Sequence, residues 1–229
     1  MNLGQLIDTA KELAADRRAS GLWSFDALKV YANEAEVEAA HRSRLIFDLT
    51  SDTDGLTTPA NLCLYPVLKG AYSIVLHPKI IFVRRVKVIS HDLPLPKIHL
   101  RDLDRVAAGW EAHAEGSVVA YCANWQKGRL LFYNAFDAND SVRLQVIRAP
   151  LEPMIGPADS PEIDEQHHMG LISWMLYRAF SKPDPDTKDK ARSQEYLDAF
   201  ERQFGKRSSA IDEAWIQNEH GYDLDEGLF

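Results

Sequence analysis

Apolar residues recur with a helical period at both ends of the chain and with a shorter period between them. The first helical face is formed by Leu3, Leu6, Ile7, Ala10 and Leu13, at the spacing i, i+3, i+4, i+7 and i+10. Residues 16–22 break this pattern. Ser24 suits the N-cap of a second, longer helix, with Trp23 placed to pack back onto it. We expect that helix to run through Ile46, and the polar turn region Asp48–Pro59 to end the helical part.

The stretch from Pro161 to Phe204 predicts a hairpin of two helices. Ser160 and Asp164 are both candidate N-caps of its first helix, and Pro161 suits the first helical position because proline lacks the N–H that a helix start leaves unpaired. The apolar residues of this helix keep the helical spacing: Leu171, Ile172, Met175, Leu176, Ala179 and Phe180.

The link Lys182–Asp186 contains two prolines, which cannot continue the hydrogen-bond ladder of a helix. Asp186 or Thr187 can cap a second helix, and Gly205 suits its C-terminal end. One side of that helix is apolar through Tyr196, Leu197, Phe200 and Phe204. Because the link is short, the two helices must pack antiparallel.

The middle of the chain has the composition of strands. Six runs are rich in β-branched and aromatic residues and end at turn-forming residues: Leu62–Leu68, Tyr72–Leu76, Ile80–Ile89, Val118–Trp125, Arg129–Phe136 and Val142–Ile147. A short helix is predicted over Leu100–Trp110. The turns Gln126–Gly128 and Asp137–Asp140 indicate that neighbouring strands are antiparallel.

These patterns together predict an α+β fold with three parts. Residues 1–58 and 151–205 are expected to form a helical bundle, because neither helical half has enough core alone. Residues 59–150 are expected to form an inserted antiparallel β domain. Residues 206–229 are expected to form an extended C-terminal tail.

The tail combines acidic charge with isolated apolar side chains. From Asp212 onward it has six acidic residues and no Lys or Arg. Such a segment cannot bury enough surface to fold alone. Its spaced apolar residues are typical of anchors for a groove on another protein, and a frayed terminus is the alternative. We predict that the partner-binding residues are Trp215, Ile216, Tyr222, Leu228 and Phe229.

Composition limits the function classes further. The chain has 229 residues, 45% of them hydrophobic. Its net charge is −8, whereas proteins that bind nucleic acid tightly are usually basic. No apolar run reaches the ~20 residues of a membrane span. Asp8, Lys11 and Glu12 stand where a signal peptide would be apolar, so export is not expected. Cys63 and Cys122 are therefore expected to be buried free thiols.

The candidate chemical sites are weak. The adjacent pair His167 and His168 would point roughly 100° apart on a helix, which is poor for chelating one ion. We therefore expect them at the surface or in an interface. Asp184, Asp186 and Asp189 lack the central Gly and closing Glu of an EF-hand loop, and helix capping explains them.

The sequence also lacks the nucleophile elbow, the P-loop and the dinucleotide-binding glycine motif. We predict no catalytic residue, no cofactor and no metal. Arg84, Arg85 and Lys87 form a small basic patch on a predicted strand. A solvated strand face or a contact with an acidic partner can each explain this patch.

Four stretches carry a resemblance to a known family. They are Leu22–Leu28 running into Tyr31–Glu36, Gly70–Ile81 followed by Val83–Val86, Val142–Pro153, and Pro161–His168 continuing through Trp174–Asp184. These stretches resemble the adaptor, or head-to-tail connector, proteins that lie beneath the portal of tailed phages. They cover most of the chain up to Phe204, and each is a packing or turn pattern.

The resemblance implies a structural protein of the virion neck. It implies a homo-oligomeric ring of twelve copies that binds the portal protein, extends the DNA channel and presents a surface to the tail or nozzle proteins. DNA would pass through the lumen without sequence-specific binding, and we expect acidic residues to line that lumen. No membrane is involved. The tail residues would dock on the portal, and Arg84, Arg85 and Lys87 would face the phage tail or the next subunit.

Three other interpretations stay open at this point. One is another neck or tail protein, such as a tail terminator or a baseplate adaptor. Another is a hydrolytic or metal-dependent enzyme whose scattered histidines and carboxylates meet only in the fold. The last is a free-standing binding module.

Overall fold

A computed structural model describes five ranges of the chain: residues 1–15, 22–49, 62–107, 109–182 and 188–209. The chain divides into two compact units. The first unit is built from Met1–Ile46 and Arg148–Arg207, and the second is built from Phe47–Ile147. Helices dominate the first unit and mainly antiparallel strands dominate the second. This mixture confirms the predicted α+β class.

Five α-helices lie in the described ranges: α1 Leu3–Leu13, α2 Phe25–Ser43, α3 Leu100–Val106, α4 His168–Ser181 and α5 Lys190–Phe204. The second unit contains α3. The other four contribute to one apolar core, which includes Leu6 of α1, Leu28 of α2, Met175 of α4 and Phe200 of α5. No helix in these ranges is long and apolar enough to cross a membrane.

The ends of α2 show one correct and one wrong prediction. The Ser24 hydroxyl accepts a hydrogen bond from the Ala27 amide at 3.2 Å, which confirms the predicted N-cap. The predicted continuation through Ile46 is wrong. Arg44 adopts a left-handed conformation (φ 52°) that ends the helix at Ser43. Ile46–Leu49 then forms a strand.

The first helix of the predicted hairpin begins later than expected. A 3₁₀ turn over Glu165–His167 precedes α4, with Asp164 at its N-cap position. A start at Pro161 is wrong, because Asp164 has a ψ of 143°, which lies outside the helical region. Before it, the amide of Glu162 donates to the side chain of Glu36 at 2.5 Å. The extended segment before the turn is thus held by α2.

The cap of α5 also differs from the prediction. The Asp189 carboxylate accepts the amide N–H groups of Ala191 and Arg192, both at 3.1 Å. It therefore satisfies two donors that a helix start leaves unpaired. The predicted caps, Asp186 and Thr187, lie outside the described residues.

Ring contacts show that α4 and α5 pack antiparallel, as predicted. The ring centroids of Trp174 and Phe200 are 5.0 Å apart, and those of Phe180 and Tyr196 are 5.9 Å apart. The later residue of α4, Phe180, thus contacts the earlier residue of α5, Tyr196, as expected for two antiparallel helices. Trp23 also packs on α4, where its indole N–H donates to the carbonyl oxygen of Ala179 at 3.2 Å.

Nine strands follow the chain, most of them in the second unit: β1 Ile46–Leu49, β2 Leu64–Val67, β3 Ser73–Val75, β4 Ile80–Val88, β5 Glu115–Gly116, β6 Ala120–Gln126, β7 Arg129–Tyr133, β8 Ala135–Phe136 and β9 Asp140–Arg148. This list covers the described residues alone. Each of the six predicted runs contains a strand, whereas β1 and β5 were not predicted. The run Arg129–Phe136 is split because Asn134 has a positive φ of 72°.

The strands form three small sheets. The first has the order β1-β9-β2, with β4 also paired to β9. The second has the order β3-β7-β6, and its β6–β7 hairpin turns at Gly128, whose φ is 70°. The third is the parallel pair β5 and β8. The predicted helix over Leu100–Trp110 is shorter than expected, since α3 ends at Val106.

Both cysteines are buried and neither is in a disulfide, as predicted. Cys122 of β6 belongs to an apolar cluster with Leu103 of α3 and Leu131 of β7. Cys63 lies directly before β2 and is fully buried.

We expect Phe200→Ala to destabilise the helical unit by about 3–5 kcal/mol, because the ring is fully buried against Trp174. Phe25→Ala is the control. Phe25 is 36% exposed, so its truncation should change the free energy of unfolding by about 1 kcal/mol or less. Chemical denaturation followed by circular dichroism at 222 nm measures both. Equal effects of the two substitutions would contradict the assignment of Phe200 to the core.

Candidate interaction surfaces

The predicted basic patch lies on β4 and is only partly solvent-facing. Arg84 and Arg85 are both exposed, although neighbours in a strand normally point to opposite faces. Val83 and Val86 on either side of them are both buried, so the alternation shifts by one residue between the two arginines. Lys87 is half-buried. The strand thereby presents two neighbouring guanidinium groups to solvent.

An apolar surface adjoins one of these arginines. The guanidinium carbon of Arg84 lies 5.3 Å from the ring centroid of Phe47 in β1, a cation–π distance. Phe47 is 54% exposed, and Leu49, two residues further along β1, is 47% exposed. We call Phe47, Leu49 and Arg84 the β1–β4 face. Exposed apolar side chains beside a cation are more typical of a protein-binding surface than of a solvated strand.

The predicted anchors of the tail are in a part of the chain that the structure does not describe. This applies to Trp215, Ile216, Tyr222, Leu228 and Phe229, which lie outside the described residues. Their assignment stays a prediction based on sequence.

The prediction for the histidine pair is wrong for His168. His168 is only 4% exposed, and its Nδ1 lies 2.7 Å from the amino nitrogen of Met1. Its Nε2 lies 2.9 Å from the carbonyl oxygen of Ile163. Its position at the start of α4 directs the ring into the helical unit. His167 is half-buried, with its ring centroid 6.0 Å from that of Phe204.

Metal-binding chemistry has no support in the described ranges. No group of three or more His, Cys, Asp or Glu residues there could hold an ion. Asp189 is used as the cap of α5. Asp184 and Asp186 lie outside the described residues.

Sequence reasoning missed a buried carboxyl group in the helical unit. Glu36 of α2 is 2% exposed and accepts the amide N–H groups of Glu162 and Ile163. Burial raises the pKa of Glu36 from 4.5 to about 7, since the hydrogen bonds only partly offset the loss of hydration. The sequence contained one indication that Glu36 is buried. Its position at helical spacing from Ala32 places it on the apolar side of α2, next to Ala35.

The same site holds an ion pair. The guanidinium of Arg148 donates to the Glu162 carboxylate, whose other oxygen accepts the Leu151 amide at 3.1 Å. Glu36 and Arg148 therefore hold the segment before α4 from two sides. The arrangement positions the backbone of that segment.

Comparison with known proteins gives one result. The family model described as SU10 adaptor protein matches residues 1–219. The match therefore covers nearly all of the 229 residues. No curated protein matches the chain.

We expect Glu36→Gln to change the pH dependence of stability. The pKa of this carboxyl is higher in the folded chain, about 7, than its ordinary 4.5. The folded state therefore binds more protons between these values, and its stability falls as pH rises through that window. Glutamine cannot ionise, and its side-chain oxygen can still accept the Glu162 amide. The variant should gain about 2–3 kcal/mol relative to the wild type between pH 4.5 and pH 8.

Denaturant midpoints measured across this pH range test the expectation. Glu34→Gln is the matched control, since Glu34 is on the same helix and its side chain is 37% exposed. Parallel pH profiles of the wild type and Glu36→Gln would contradict the proposed ionisation cost.

Proposed function

Since the chain belongs to the SU10 adaptor protein family, we propose that it is a neck subunit joining the portal of a phage to its tail. The observation that carries this proposal is the family match over residues 1–219. A phage adaptor is a structural component of the virion and is not an enzyme class. The four stretches that resemble head-to-tail connectors support the same function.

We propose that the subunit assembles as a ring of twelve copies beneath the portal. A closed ring requires two different complementary patches on each subunit. The β1–β4 face supports one such patch, because it exposes Phe47 and Leu49 beside Arg84. Arg85 and Lys87 extend the charge along β4. This face would contact the next subunit or the phage tail.

The ring would extend the DNA channel. A net charge of −8 supports an acidic lumen, in which carboxylates repel the phosphates and let DNA slide without sequence-specific binding.

Each predicted part of the chain has a place in this proposal. The helical bundle of residues 1–58 and 151–205 would form the body of the ring, and the β domain of residues 59–150 would supply the lateral or tail-facing surface. The tail, residues 206–229, would dock on the portal. Its anchors would be Trp215, Ile216, Tyr222, Leu228 and Phe229.

We expect removal of the residues after Ser209 to abolish binding to purified portal rings. This truncation keeps Arg207, which pairs with Glu38 in the helical unit. Co-sedimentation with portal rings measures the binding. The full chain with Trp215→Ala and Tyr222→Ala should bind at least tenfold more weakly, since buried aromatic anchors dominate interface energies. Undiminished binding of the truncated chain would refute portal docking by the tail.

We expect the double substitution Arg84→Glu and Arg85→Glu to prevent contacts of the basic patch without unfolding the subunit, because both side chains are exposed. Native mass spectrometry of the assembled ring and binding to tail proteins are the two readouts. The double substitution Lys79→Glu and Lys127→Glu provides a control of the same charge change elsewhere in the second unit. If neither readout changes, the patch is a solvated strand face.

A further inference from the structure

A long connecting segment, residues 149–164, links β9 to the 3₁₀ turn before α4 and belongs to the helical unit. It contains four prolines, and the structure describes all of it without a helix or strand. Connections of this length inside a compact unit are uncommon and often carry a function.

The connecting segment is held in place by α1 and α2. The carbonyl oxygen of Pro157 accepts the amide N–H of Gly4 in α1 at 2.9 Å. The side chain of Asn33 in α2 accepts the amide N–H of Met154 at 2.7 Å and donates to its carbonyl oxygen at 3.0 Å. The segment therefore presents a fixed surface to its surroundings.

One apolar side chain projects from this fixed surface. Ile155 is 70% exposed. The Asp159 carboxylate accepts the amide N–H groups of Ile155 and Gly156, both at 2.8 Å, and the Asp159 amide donates to the carbonyl oxygen of Gly156 at 3.1 Å. We call this closed turn, Ile155–Asp159, the knob. A preformed turn loses little conformational entropy on binding.

An open groove adjoins the knob on the same unit. It lies between α2 and α4, has a volume of about 560 Å³ and is lined by Val30, Asn33, Glu34, Val37, Glu38, Trp174 and Arg178. We call it the α2–α4 groove. Because Asn33 lines the groove and also holds Met154, the residue before the knob, the two features lie side by side.

The residues that line the groove favour an apolar ligand with a hydrogen-bond acceptor. Val30 is 50% exposed and Val37 is 36% exposed. The indole N–H of Trp174 is buried and has no hydrogen-bond acceptor among the described residues. A buried donor of this kind costs free energy until an acceptor reaches it. A partner with an apolar side chain and a nearby backbone oxygen meets both requirements.

The charges of the knob and the groove are complementary. The connecting segment has four acidic residues and no Lys or Arg, and Glu152 beside the knob is exposed. Both groove carboxylates already have guanidinium partners: Glu34 lies 2.8 Å from Arg178, and Glu38 lies 3.0 Å from Arg207. The side chain of Arg178 is 41% exposed and that of Arg207 is 67% exposed. An acidic, apolar knob therefore matches an apolar groove with exposed arginines.

Two complementary surfaces that lie side by side on one subunit can bind a second copy twice. If a twofold axis relates two copies and passes near Asn33, the knob of each copy faces the groove of the other. A second copy supplies both matching surfaces by symmetry, whereas an unrelated partner would have to match them separately.

We propose that two copies of the free subunit form a dimer in which the knob of each copy occupies the α2–α4 groove of the other. Ile155 of one copy packs on Val30 and Val37 of the second copy. A backbone oxygen of the knob accepts the indole N–H of Trp174, and the acidic connecting segment lies beside the exposed arginines of the groove.

This dimer goes beyond the proposed function and does not rest on it. Neighbours in a ring of twelve copies are related by a rotation that is not twofold, so the dimer belongs to the free subunit and opens before a ring closes. The test below uses the chain without portal or tail proteins, so its failure leaves the proposed neck function untouched.

Disulfide trapping between two full-length chains tests the proposal. One chain carries Ile155→Cys and the other carries Val37→Cys, so a peptide that joins these positions can form only between copies, and mass spectrometry detects it. The control mixture is Ile155→Cys with Val75→Cys, because Val75 is 61% exposed in the second unit. We expect the first mixture to link at least tenfold faster under mild oxidation. Cys63 and Cys122 are buried and should not compete.

Sedimentation equilibrium measures the dimer directly. Ile155→Asp should weaken it at least tenfold, because the substitution would bring a carboxylate onto the apolar residues of the groove. Met169→Asp is the matched control, since Met169 of α4 is 57% exposed and does not line the groove.

Circular dichroism verifies that each variant is folded. The proposal is overturned if the Ile155→Cys and Val37→Cys mixture links no faster than the control mixture. A wild-type chain that sediments as a monomer at high micromolar concentration would also overturn it, and so would equal effects of Ile155→Asp and Met169→Asp.

Discussion

The helical unit depends on the burial of one face of α5 against α4 and α2. With 15 residues, α5 is at the lower limit of what is stable alone in water, so its stability must come from packing. Phe200 is at the centre of that packing, with Trp174 on one side and Phe204 on the other. The guanidinium of Arg42 lies over both the Trp174 and Phe200 rings, at 5.2 and 5.1 Å. The cation–π contacts of Arg42 and the aromatic packing between α4 and α5 therefore involve the same two rings.

The elements that sequence predicted well are those specified by local rules. The 3.6-residue period located α1, α4 and α5, and the hydroxyl of Ser24 marked the start of α2. Runs of β-branched and aromatic residues located six strand regions. In each case the residues concerned are neighbours in sequence, so no knowledge of the fold was needed.

Two of the three errors involve a contact with a residue that is distant in the sequence. Glu36 accepts the amide N–H of Glu162, 126 residues away, in the non-helical segment before α4. His168 is buried by contacts with the N-terminal residue. The end of α2 depends on Arg44 adopting a left-handed conformation, which favours glycine or asparagine. Periodicity contains no information on any of these three.

Some features of the candidate surfaces could be predicted from the sequence and others could not. The charge of Arg84 and Arg85 was evident from the sequence. The exposure of their apolar neighbour Phe47 was not, because residues 46–49 were assigned to the end of a helix and the start of a polar turn region. Val37 of α2 is apolar, yet it is 36% exposed. Exposure of a particular apolar residue depends on which helices pack around it, so it can be learned only from the fold.

The clamp on the last carbonyls of α5 has a consequence for assembly. Ser43 and Arg42 hold the carbonyl oxygens of Phe204 and Gly205, and 24 residues follow Gly205 in the sequence. A segment attached to a fixed point meets a site within its reach at an effective concentration that can lie in the millimolar range. Contacts too weak to form between separate molecules can then form within one molecule.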